Sequence, residues 1–175
     1  MPRLHSAHLP PLRRLPSFQR FPAMLGLAAC VMASAAHAQI ARLDDSASPR
    51  AHVQADFRQA QMIDAQTLLL PFGRVEYRLA TAPYVGRRAR IYYVIPLAVA
   101  GLRSPSALQV QWRGALFQSG MGRPGDRVLV WSGDVRTPWI TDTFDLQLRI
   151  DPRQLQLGRG ASLSFESYFE IEIQP

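Results

Sequence analysis

The sequence predicts an all-β protein: an antiparallel β-sandwich of immunoglobulin-like architecture with about seven strands. A small closed β-barrel is the alternative that the same pattern allows. Three observations carry this expectation. Apolar side chains recur at every second residue in several short segments, turn-forming residues return at short intervals, and no segment sustains a 3.6-residue apolar period.

The first 38 residues are set apart from the fold. Arg3, Arg13, Arg14 and Arg20 form a positive leader, an apolar run follows from Phe21 to Ala36, and Ala36-His37-Ala38 is a small-x-small pattern. This order reads as a secretory signal cleaved before Gln39, which places the remaining chain in the periplasm or outside the cell. The run falls short of the roughly 20 apolar residues of a membrane span, so no transmembrane segment is expected after cleavage. Leu27-Ala28-Ala29-Cys30 resembles the bacterial lipobox, and the alternative is a lipoprotein anchored through Cys30. The apolar stretch after Cys30, VMASAAHA, argues for ordinary cleavage, because lipoprotein tethers are usually polar.

Residues 39–175 amount to one domain, long enough to bury a core. Residues 39–52, QIARLDDSASPRAH, are polar and read as a flexible lead-in, with the single sandwich domain spanning 53–175. Four of the 20 basic residues lie in the leader and none of the 13 acidic ones does, so the remainder is only mildly basic. That balance and the expected export both argue against nucleic acid as a partner.

Each element follows from its own stretch of sequence. DAQTLLL (64–70) reads as a strand, and a short helical turn is expected within 55–70. PFG (71–73) reads as a turn, followed by RVEYRLA (74–80) with Val75, Tyr77 and Leu79 on one side. RARIYYVI (88–95) and RVLVWS (127–132) are more continuously apolar and read as central strands covered on both faces. ALQVQWR (107–113) places Leu108, Val110 and Trp112 together, and Trp112 is expected in the core. TFDLQLRI (143–150) aligns Phe144, Leu146, Leu148 and Ile150. SFESYFEIEIQP (164–175) reads as a long closing strand, with Phe165, Phe169, Ile171 and Ile173 inward. Its acids on the other face are expected to pair with arginines such as Arg74, Arg78 or Arg149.

Residue types remove whole chemistries. The chain has no Lys and no Asn, its one Cys is Cys30, and beyond the leader His52 is its only histidine. Schiff-base and thiol chemistry and multi-histidine metal sites are therefore excluded from residues 39–175. A Ser-His-Asp triad would depend on His52 at the border of the lead-in. Carboxylate pairs suited to glycoside hydrolysis have no distinguishing spacing, and Asp134, Asp142 and Asp145 do not match a calcium loop. No catalytic residue, metal or cofactor is expected, and a carboxylate-based hydrolase ranks last.

Two non-catalytic expectations stand. The leading one is an exported bacterial module acting through surface contacts, structural, adhesive or pilus-like, with β-strand addition as the natural mode of partnering. Its weak point is the donor strand: residues 39–52 do not alternate, and AHVQADF (51–57) alternates only weakly. The alternative is a periplasmic module for a sugar or small ligand. Trp131 and Trp139 would stack on a ring, and Asp134, Arg136 and Asp142 would bond its polar groups.

Overall fold

The computed structural model describes residues 39–49, 57–156, 163 and 166–175, all within one unit, Ala35–Pro175. The expected leader, Cys30, His52 and most of the 51–57 candidate lie outside the described residues. Nine strands follow in order: β1 (Gln39–Arg42), β2 (Gln61–Asp64), β3 (Thr67–Ala80), β4 (Arg88–Val94), β5 (Leu108–Arg113), β6 (Gly120–Gly122), β7 (Arg127–Asp134), β8 (Trp139–Ile150) and β9 (Tyr168–Ile173). The helical content among the described residues is four single 3-10 turns. One of them, Phe57–Gln59, falls where a short helical turn was expected.

The strands form two antiparallel sheets. One has the order β1-β9-β4-β7 and the other β2-β3-β8-β5-β6. They face each other as a β-sandwich and do not close into a barrel. The alternating rows meet between them. Leu79, Phe144, Leu146, Leu148, Val110 and Trp112 from the five-stranded sheet are buried against Ile91, Tyr93, Phe169 and Ile171 from the other. Each large apolar side chain buried this way contributes about 1.5–3 kcal/mol.

At the centre lies an aromatic cluster. Tyr93 meets Trp112 and Phe144 edge-on, with centroids 4.9 Å and 5.2 Å apart, and Tyr77 meets Phe169 at 4.9 Å. Edge-on packing sets the positive ring rim against the negative face of its neighbour. The polar tips are bonded: Trp112 Nε1 donates to the Gln118 carbonyl at 3.0 Å, and the Tyr77 hydroxyl lies 3.2 Å from Ser167 Oγ.

Several expectations are corrected. PFG is not a turn but a β-bulge inside β3. Pro71 and Gly73 pair with consecutive residues of β8, with Phe72 the extra residue of the bulge, while Gly73 takes φ 91°. The turn lies just before β3 instead, at Ala65-Gln66, where Asp64 Oδ1 accepts the Gln66 amide at 2.7 Å. β4 is central as expected, but β7 pairs only with β4 and is an edge strand. Its apolar run reflects a second bulge, described below.

The closing strand is shorter than the 12-residue pattern, and residues 164 and 165 lie outside the described residues. Its acids pair across strands as expected, with different arginines. Arg127 on β7 reaches over the ring of Tyr92, 3.4 Å from its centroid, to Glu170 at 2.7 Å and Glu172 at 3.3 Å. Arg90 stands 3.8 Å from Glu172. Arg74, Arg78 and Arg149 belong to the opposite sheet. Alternation encodes which face a residue takes, not which strand lies beside it.

Candidate functional site

The five residues expected to form a ligand site do not converge. β7 carries a bulge: Ile91 pairs with Trp131 and Tyr92 with Leu129, leaving Val130 over. The extra residue moves Trp131 off the outward row of Arg127 and Leu129. It turns the indole to the core side, where it is half-buried beneath Gly133. Trp139 opens β8 on the outer face of the five-stranded sheet, 39% exposed, with the Arg78 guanidinium 4.9 Å from its ring centroid. Asp134 ends β7 opposite Arg88, and Arg136 is exposed in the connection to β8.

Asp142 is an internal bracket. It occupies the inward row of β8 and is 4% exposed. Its carboxylate accepts the amides of Ala115 at 3.0 Å, Leu116 at 3.1 Å, Phe117 at 2.7 Å and Thr143 at 2.8 Å. These bonds fix the 114–117 loop, and they use up the oxygens that a ligand or cation would need. Asp145, three residues on, faces the other side of the sheet. Among the described residues no group of three His, Cys, Asp or Glu side chains is placed to hold a metal. No helix among them is long and apolar enough to cross a membrane.

The four-stranded sheet ends on one side in β1. Residues expected as a polar lead-in are paired: Gln39, Ile40, Ala41 and Arg42 lie in register with Ile173, Glu172, Ile171 and Glu170. The Leu43 amide then donates to the Phe169 carbonyl at 2.9 Å, and the Leu43 side chain is 2% exposed. Ala41 and Leu43 form the inward row. Ile40 points outward at 55% exposure, and Arg42 lies 4.5 Å over the Tyr168 ring. An antiparallel ladder alternates, so the backbone groups of Ile40 and Arg42 point away from β9 to the open side. This row escapes a reading of the sequence because Ile40, also apolar, faces the other way and breaks the alternation.

Beyond Leu43 the chain crosses to the other sheet. The Asp44 carbonyl accepts the Ala80 amide at 2.9 Å, and Ser48 Oγ accepts the Arg78 amide at 2.8 Å. The amide of Ser46 bonds Asp44 Oδ1 and holds that carboxyl below the usual aspartate value. Residues 39–48 thus clip the two sheets together along one side.

Searches against family models, curated proteins and solved structures find no match to this chain.

Proposed function

We propose that this is an exported bacterial β-sandwich that acts without catalysis, as a structural or adhesive module joined to a partner chain by β-strand addition at the β1–β9 edge. The observation that carries the reading is the place of β1. It is four residues long, pairs with one strand only, and inserts Ala41 and Leu43 as its inward anchors. Backbone pairs of this kind contribute about 0.5–1.5 kcal/mol each and a buried leucine about 1.5–3 kcal/mol, so the clip is weak enough to exchange. With cleavage before Gln39, β1 is the first segment of the exported chain. A terminal strand leaves and returns without unthreading a loop, which makes exchange between copies a low-cost route to assembly. When it leaves, the edge of β9 and the Leu43 slot open to an incoming strand.

The test uses size-exclusion chromatography with light scattering, a thermal melt and a labelled peptide. A variant lacking Gln39–Leu43 has an open β9 edge and no strand to donate, and is expected to aggregate or lose cooperative melting. A peptide of residues 39–48 added in trans is expected to restore it and to enter the intact protein in competition with β1. A variant that stays monomeric with an unchanged Tm, together with no peptide uptake by either form, overturns the reading.

A further inference from the structure

A polar cleft of about 500 Å³ lies at the far end of the five-stranded sheet, built from segments that the sequence keeps well apart. We infer that this cleft binds an acidic oligosaccharide, a chain of uronic-acid type. The inference is independent of strand addition and concerns a different face of the molecule.

Its lining is laid out by register. Arg149 on β8 pairs with Gln109 on β5, and Val110 pairs with Gly122, so Arg123 follows beside Gln109. The two guanidinium-bearing residues therefore stand on either side of an amide, two strand spacings or about 10 Å apart. Gln66 in the β2–β3 turn and Ser106 complete the wall, with Ser106 Oγ 2.8 Å from Ser104 Oγ. The cleft's carboxylate, Asp151, accepts the Arg153 amide at 3.0 Å and lies 3.5 Å from the Arg153 guanidinium, so its charge is met locally. Arg123 and Arg149 are the two cations of the lining, and Asp64 at the end of β2 lies near enough to Arg149 to interact with its charge.

The chemistry follows from what lines the space. Two fork-shaped donors recognise carboxylates. Amides and hydroxyls between them bond sugar hydroxyls as both donors and acceptors. No aromatic side chain lines the cleft, so a neutral sugar would lack a stacking surface. Apolar pockets of the kind that seat peptide side chains are also missing from a lining this polar.

Isothermal titration calorimetry on the purified protein tests this, using tetragalacturonate, maltotetraose, poly-glutamate and inorganic phosphate as probes. Tetragalacturonate is expected to bind, more weakly as salt rises, and the other three at least tenfold less well. Arg149→Gln and Arg123→Gln are each expected to weaken tetragalacturonate binding at least tenfold. Both residues are exposed, so an unchanged Tm will show that the variants fold. The inference is overturned if tetragalacturonate does not bind or maltotetraose matches it. It is also overturned if poly-glutamate or phosphate matches it, which would mean an acidic peptide or a free anion, or if both variants bind as the parent does.

Discussion

Asp142 stands in the inward row of β8, between Ile140 and Phe144. A polar side chain there is tolerable only because four amides donate to its oxygens. Asp142→Ala leaves the amides of Ala115, Leu116 and Phe117 without that acceptor. The expected loss is about 3 kcal/mol or more, read as a lower urea midpoint at unchanged slope. Asp142→Asn keeps one acceptor oxygen and is expected to fall between the two. A loss below about 1 kcal/mol for the alanine variant would show that the loop does not depend on this bracket. The role was legible in principle: an acid on the apolar side of an alternating strand signals an internal partner. The partners were not legible, because the loop they come from lies 25 to 27 residues away. Trp112 was legible as core, having apolar neighbours on its own strand to mark the inward side. Trp131 was not, because its side is set by the bulge at Val130.

At the scale of elements, the two bulges decide what alternation leaves open. In β3 the bulge lets a 14-residue strand bend and keep its register with β8 on both sides of Pro71-Phe72-Gly73. Gly73 makes this possible at φ 91°, where a Cβ would crowd the following carbonyl. Gly73→Ala is expected to cost about 1–2 kcal/mol in denaturant unfolding, and a neutral or stabilising outcome would show that the bend relaxes freely. The sequence marked this place correctly as a break in the pattern, but Pro and Gly mark turns and bulges alike. Strand β1 shows the reverse: pairing with β9 turns a polar stretch into a strand, since backbone bonds require no particular side chain. That pairing is why its removal is the informative variant for the proposed strand addition.

For the whole molecule, composition and packing combine into a pH dependence. Burial raises the Tyr77 hydroxyl above its ordinary value of 10.0, and raises Tyr93, wholly buried at the centre, well above it. A raised folded-state value means that the folded form holds its proton more tightly. That contribution is complete below about pH 10 and is lost as pH rises through the folded values. Residues 39–175 hold no lysine and no cysteine, so tyrosines dominate their alkaline titration. The urea midpoint is therefore expected to fall between pH 9.5 and 11.5, roughly the range above the tyrosine reference value, and Tyr93→Phe is expected to flatten the decline. A midpoint that holds steady across this range would contradict the raised values.

The sequence by itself determined the class of fold and the core rows of its regularly alternating strands. Alternation, turn residues and the absence of a helical period are local properties, and burial acts on one strand face at a time. It likewise excluded lysine, thiol and multi-histidine chemistry from residues 39–175, because a missing residue type is missing in every fold. Only the tertiary structure decided which strands are neighbours. That choice brought Arg127 to Glu170, clipped residues 39–43 onto β9, and assembled Gln66, Ser106, Gln109, Arg123 and Arg149 around one cleft. Such contacts join residues far apart along the chain, and their energies depend on the packing of both sheets at once. No short window of sequence holds that information.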